Sequence, residues 1–238
     1  MADGEPTGEV PAFEVELPGA RAVFSTRLGG VSERPYDTLN LGILTDDDRD
    51  RVRENRRRLA GRIGVAGEAV AMGWQVHGAD LQEWHEPPRS RFTDPDTDLR
   101  KVDGHVTELE DVALLVLAAD CLPIALSGGG RVAMLHCGWR GLAAGIVERV
   151  LEHFHEPPAA VVGPGIGACC YEVGEEVLAA FGAAGPTLDL RGIVAERLAG
   201  SDVRHVDLCT SCNPDLFFSH RRDGQRTGRQ AGAVIRTP

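Results

Sequence analysis

A chain of 238 residues, 42% of them apolar, can bury one large core or two small ones. Its net charge of −11 excludes general binding to nucleic acid or to an anionic membrane, since both need a basic surface. No apolar run reaches the ~18 residues of a membrane span, the start Met1-Ala2-Asp3-Gly4-Glu5 lacks the basic and apolar parts of a secretory leader, and six cysteines are too few for a disulfide scaffold; a cytoplasmic protein with reduced thiols is expected.

Residues 1–9 read as a polar tail, and residues 10–238 as one domain without internal repeats. A β-rich stretch at residues 22–25 is followed by helical pattern over residues 46–63, with Asp47 or Asp48 as N-cap. That helix carries Arg49, Arg51, Arg53, Arg56, Arg57 and Arg58 interleaved with acids, which predicts a solvated face. Strand pattern returns at residues 69–76, and a proline-rich charged loop follows at residues 86–101. Residues 112–118 are apolar at every position, as in a strand buried on both faces. Residues 123–127 and 131–135 form a strand pair around the turn Gly128-Gly129-Gly130. Helices are predicted at residues 140–155, 174–181 and 188–198, and strands at residues 159–162 and 203–206. The mixture predicts an α/β fold whose alternation is too irregular for a doubly wound sheet.

Three potential metal ligands stand just after apolar runs: His77, Cys121 and His136. Two imidazoles and a thiolate suit zinc, and three protein ligands leave a fourth position open for water or substrate. Their separations form no local metal motif, so spacing alone is weak evidence. A cysteine also serves as a small core hydrophobe, and a lone histidine as an ordinary polar residue. Around His136, the segment Cys137-Gly138-Trp139-Arg140-Gly141 marks a strand-to-helix junction where backbone N–H groups and Arg140 suit an anion.

The chain resembles the YfiH-like family, also called the laccase-domain or polyphenol-oxidase-like family and regarded as purine nucleoside phosphorylases. The residues that carry the resemblance are Ser25-Thr26-Arg27-Leu28-Gly29-Gly30-Val31-Ser32, Leu39-Asn40-Leu41-Gly42, Gln75-Val76-His77-Gly78, Ala119-Asp120-Cys121-Leu122-Pro123 and the block from His136 to Gly141. Further matches are Gly163-Pro164-Gly165-Ile166-Gly167, Cys170-Tyr171-Glu172-Val173, Asp207-Leu208-Cys209-Thr210-Ser211-Cys212-Asn213, Phe217-Phe218-Ser219-His220-Arg221-Arg222-Asp223-Gly224 and Thr227-Gly228-Arg229-Gln230. The family often has threonine in place of Ala119 and alanine in place of Cys137, so a second thiol stands beside a ligand here.

The resemblance implies a single-domain four-layer α/β/β/α sandwich with mixed sheets, similar to the catalytic domain of cytotoxic necrotizing factor. It implies one zinc, with copper as the alternative, on His77, Cys121 and His136. It also implies purine nucleoside and phosphate as substrates: phosphorolysis of adenosine, inosine or methylthioadenosine, with adenosine deamination as a second activity. Arg27 and Arg140 are the candidates for phosphate, and Asn40 and Gln75 for ribose or base. Arg27 has the alternative of bracing the Gly29-Gly30 turn.

The resemblance places Cys170 and Cys212 along the pocket. A four-cysteine site with Cys209 would need the adjacent Cys169 and Cys170, and neighbours in sequence chelate one metal poorly, so structural zinc is disfavoured there. His85, His105, His153, His155 and His205 are expected to be surface or structural residues. Three competing readings remain: a cysteine hydrolase or deamidase using Cys121 and His136, a laccase-like copper oxidoreductase, and an editing factor for peptidoglycan precursors.

Overall fold

The computed structural model describes residues 9–88, 92–93 and 99–237, so most of the polar tail and much of the proline-rich loop lie outside the described residues. Eleven strands are described: β1 (Ala12–Leu17), β2 (Ala20–Ser25), β3 (Val70–Ala71), β4 (Leu81–Trp84), β5 (Gly104–Thr107), β6 (Ala113–Ala118), β7 (Leu122–Gly128), β8 (Arg131–Cys137), β9 (Ala159–Val162), β10 (Val203–His205) and β11 (Gln230–Arg236). They form a five-stranded sheet of order β1-β2-β11-β6-β3 and a six-stranded sheet of order β10-β9-β7-β8-β5-β4. Both sheets are mixed: β3 runs parallel to β6, β4 to β5 and β10 to β9, and the other pairings are antiparallel. Six helices join them: α1 (Arg49–Ile63), α2 (Trp139–Ala143), α3 (Ile146–Leu151), α4 (Glu175–Ala180), α5 (Leu190–Arg197) and α6 (His220–Asp223).

The four layers follow from side-chain alternation along strands that have no polar face. In β6, Leu114 and Val116 point between the sheets, where Phe24, Ala125, Met134, Val161 and Val234 meet them. Ala113 and Leu115 point the other way, onto Leu59 and Ile63 of α1. In β7, Ile124 and Leu126 face outward beneath Ile146 and Val147 of α3 and Val194 of α5. Each such side chain, fully removed from water, stabilises the fold by about 1.5–3 kcal/mol. Helix, sheet, sheet and helix therefore stack as the resemblance implies.

Several boundaries differ from the sequence pattern. Helix α1 begins at Arg49 because the Asp48 side chain accepts the N–H groups of Asp50 and Arg51. The helix expected over residues 140–155 is two short helices, split at Gly145, whose φ of 84° leaves the helical region. The strand expected over residues 69–76 keeps only β3. Beyond it Trp74 bonds across to Arg100 and Val102, and the chain turns toward the site. Strands β1, β4, β5 and β11 carry no strand prediction. β11 is central to its sheet, yet its small residues Ala231, Gly232 and Ala233 give no β-branched or aromatic signal.

The arginine-rich face of α1 is only partly solvated. Arg51 pairs with Glu33, Arg53 with Asp50, and Arg57 and Arg58 with Glu54. Arg56 is a correction to the predicted solvated face: it is 1% exposed. It donates to the Leu41 carbonyl (2.9 Å) and the Phe92 carbonyl (2.8 Å), and its guanidinium lies 5.0 Å from the Phe92 ring.

Candidate metal centre and cavity

The trio sits where the ends of two strands meet a loop. Strand β6 ends at Ala118, the chain turns through Ala119 and Asp120, and Cys121 precedes β7 directly. His136 is the penultimate residue of β8, paired across the ladder with Pro123. His77 comes from the loop after β3 and has a φ of 61°, unusual outside glycine. The ligand atoms of His77, Cys121 and His136 all lie within 4.8 Å of one another. Gly138 makes this approach possible: a Cβ there would stand 2.9 Å from the Cys121 sulfur and 3.4 Å from the His77 ring.

One residue that the sequence reading passes over organises two of these ligands. Asp103, fully buried just before β5, holds the His136 Nδ1 at 2.8 Å and turns the other ring nitrogen to the trio. The same carboxylate accepts the N–H groups of Val76 (3.0 Å), His77 (2.9 Å) and Gly78 (2.7 Å), which fixes the loop that carries His77. A carboxylate behind a ligating histidine is the usual partner arrangement at metal sites. Burial opposes ionisation of Asp103, but the His136 bond and the backbone donors outweigh it and hold its carboxyl below the ordinary range. Its sequence signal was slight: a single acid between Val102 and Gly104 at the start of a strand.

The charge state of the trio follows from crowding. Burial opposes ionisation of Cys121, yet His136 and His77 beside it draw the thiol down to about 6. Burial likewise opposes protonation of His136, while Cys121 and Asp103 hold it up at about 9. Cys137, the extra thiol beside the ligand, is fully buried, faces the helix layer and is pushed well above an ordinary thiol by burial. That leaves Cys121 as the sulfur of this site. Asp120, next to it, accepts from the Thr210 hydroxyl (2.6 Å) and the Arg221 N–H (2.6 Å), tying the turn to the segment that leads into α6.

The trio lies in the wall of a cavity of about 490 Å³, within the ~300–1,000 Å³ usual for small-molecule sites. Apolar side chains Leu44, Met72, Trp74, Leu117 and Ile166 line it, together with Arg140, Tyr171, Arg221 and Arg229. Arg140 is exposed, its guanidinium 4.4 Å from the Trp139 ring, with no carboxylate partner among the described residues. Arg221 donates to the carbonyls of Cys170 and Glu172, and Arg229 to those of Thr227 and Gly228. Neither charge is matched by a carboxylate within ion-pair distance among the described residues. Burial and the neighbouring Cys121 push the Tyr171 hydroxyl up to about 12.

The remaining expected site residues divide. Gln75 lines the cavity, with its amide anchored at both ends to the backbone of Leu117, at 2.7 and 2.8 Å. Arg27 does not reach the cavity. It donates to the carbonyls of Asp37 and Pro214, pairs with the Asp37 carboxylate and lies over Phe218, so bracing is its structural role. Asn40 is fully buried outside the cavity lining, bound to Thr45, Asp47 and the N–H groups of Gly42 and Arg229. Cys170 and Cys212 do not line the cavity; their sulfurs face each other at 3.3 Å. Of the five histidines expected to be surface or structural, His105 is fully buried and accepts from the Trp84 indole at 3.2 Å.

The chain matches relatives over most of its length. It is 35% identical to the purine nucleoside phosphorylase YfiH of Escherichia coli, covering 91% of this chain and 93% of that protein. It is 39% identical to the purine nucleoside phosphorylase Rv2149c of Mycobacterium tuberculosis, over 90% of this chain and 91% of that one. Among solved structures, YlmD of Geobacillus stearothermophilus superposes with a TM-score of 0.86 at 34% identity, over 93% of each chain. The hypothetical protein YfiH of Bacillus licheniformis gives a TM-score of 0.86 at 29% identity, over 92% of this chain and 93% of that one. With residues 21–237 matching the family described as multi-copper polyphenol oxidoreductase laccase, and with that fold and those relatives, the chain belongs to the laccase-like YfiH/YlmD family.

Proposed function

We propose that this chain is a zinc-dependent purine nucleoside phosphorylase, cleaving adenosine, inosine or methylthioadenosine with inorganic phosphate and deaminating adenosine as a second activity. The observation that carries the reading is the meeting of a two-histidine, one-cysteine donor set with arginines that lack carboxylate partners in one cavity of small-molecule size. The naming of the relatives as purine nucleoside phosphorylases supports the substrate class. His77, Cys121 and His136 would hold the zinc, which supplies a Lewis acid with one open position when bound. Arg140, Arg221 and Arg229 take the phosphate charge and orient it toward the anomeric carbon. Tyr171, which keeps its proton, donates to a purine nitrogen as the base departs. The apolar side chains Leu44, Trp74 and Leu117 receive the flat purine and exclude water.

The test is incubation with each nucleoside, with and without phosphate, and separation of the products. Phosphate-dependent adenine from adenosine is expected, with a smaller yield of inosine, and both are lost in His77→Ala. No free base from any of the three nucleosides would overturn the reading.

One observation favours a second reading. Cys121, His136 and Asp103 stand in the order nucleophile, base and orienting acid, the arrangement of a cysteine hydrolase. Alkylation of Cys121 separates the two. Under the first reading zinc protects the thiol; under the second, protein carrying no zinc is active and is inactivated as Cys121 is modified. Multi-copper oxidation is not favoured, since among the described residues one mixed histidine–cysteine set stands beside one group of four thiols.

A further inference from the structure

A second group of donors lies behind the cavity wall. Cys169 and Cys170 sit in the turn after the glycine-rich segment 163–167, and Cys209 and Cys212 in the turn after Leu208. The four sulfurs all lie within 4.8 Å of one another, with Cys169 and Cys212 at 3.6 Å and Cys170 and Cys212 at 3.3 Å. A tetrahedral ion with metal–sulfur bonds of about 2.3 Å sets its sulfurs about 3.8 Å apart. A multi-iron cluster would spread them further, so the spacing fits one ion. The objection that adjacent cysteines chelate poorly is met by the turn, which brings both sulfurs to Cys212.

The backbone is arranged for a thiolate. Gly165 and Cys209 form a parallel bridge, the Thr210 N–H bonds the Gly165 carbonyl at 3.1 Å, and the Gly167 N–H donates to the Cys209 sulfur at 3.2 Å. A side chain at Gly167 would meet the Cys169 sulfur at 3.2 Å and the Cys209 Cβ at 3.3 Å, so this backbone lies directly against the thiols. Four thiolates are soft ligands that select zinc over magnesium or calcium, and four protein ligands leave no position open for substrate.

We propose that Cys169, Cys170, Cys209 and Cys212 bind a second, structural zinc ion. The ion staples the segment bearing Ile166 and Tyr171 to the segment that runs through Thr210 to His220 and Arg221, and so fixes one wall of the cavity from behind. Binding replaces thiol protons, which pass to solvent, and involves no change of oxidation state.

The site does not rest on the nucleoside reading and is measured without turnover. The full-length His77→Ala/His136→Ala variant, in which the trio is dismantled, is expected to retain one zinc per chain by elemental analysis. Adding Cys209→Ser and Cys212→Ser should remove it. Cobalt loaded into the same variant should show the intense charge-transfer and visible bands of tetrahedral thiolate coordination. On the unmodified chain, zinc should slow alkylation of all four thiols at least tenfold, a readout that survives misfolding of any variant. Four thiols alkylated equally fast with and without zinc would overturn the proposal. So would a trio-deficient variant that holds no metal, or a Cys170–Cys212 disulfide in protein purified under reducing conditions.

Discussion

Asp103 accepts three backbone N–H groups from residues 76–78 and holds the His136 ring, so the positions of two candidate ligands, His77 and His136, depend on one buried carboxylate. Asn at this position keeps one acceptor oxygen but turns an NH₂ toward N–H donors that need an acceptor. Asp103→Asn is therefore expected to weaken zinc binding by about 10–100-fold, read by competition with a chromogenic chelator, while each ligand remains in place. Unchanged affinity would show that the trio positions itself. This residue was illegible in the sequence because its function lies in what folds around it. His77 and His136 lie on either side of it in sequence, and nothing in Val102-Asp103-Gly104 records that both come to it.

At the scale of elements, α1 shows how pattern and packing part company. Its period was readable and its cap was narrowed to Asp47 or Asp48; the helix starts after Asp48 and ends at Ile63. Its seven arginines look alike in sequence, yet the helix rotation that docks Leu59 and Ile63 on the five-stranded sheet also carries Arg56 inward. There it bonds carbonyls of two loops, at Leu41 and Phe92. Burial draws its pKa down to about 10, so it stays protonated at neutral pH. Arg56→Ala removes that stem and leaves two carbonyls without a donor, and an unfolding midpoint in urea should report a loss of roughly 2–4 kcal/mol. The exposed Arg57→Ala should change stability by less than about 0.5 kcal/mol.

At the scale of the whole molecule, acid stability is expected to depend on a histidine that does not line the cavity. His105 is fully buried, and burial lowers its pKa from 6.5 to about 4. As pH falls through 6.5 the unfolded chain takes up a proton that the folded chain refuses. Stability from this group is thus intact above pH 6.5, is lost progressively as pH falls toward 4, and levels off below, by about 3 kcal/mol in all. Thermal melts across that range should show the slope in the parent and a flatter one in His105→Gln, whose amide oxygen can still accept from Trp84. Equal slopes would assign the acid sensitivity to other groups.

The sequence by itself pointed to the class of fold, the apolar strand β6, a cap at Asp47 or Asp48 for α1 and the donor residues His77, Cys121 and His136, because each is written in local periodicity or residue type. It also determined the family, through motifs spread along the chain. Tertiary structure decided which polar residues share a site. It brought Asp103 to the trio and Arg221 and Arg229 to the cavity, left Arg27 and Asn40 bracing loops, and drew four cysteines from two turns into one cluster. The physical reason is that a hydrogen bond or a ligand distance depends on how strands far apart in sequence pair and how layers stack. Residue type limits what a side chain can do, and only the packing of the two sheets sets what it meets.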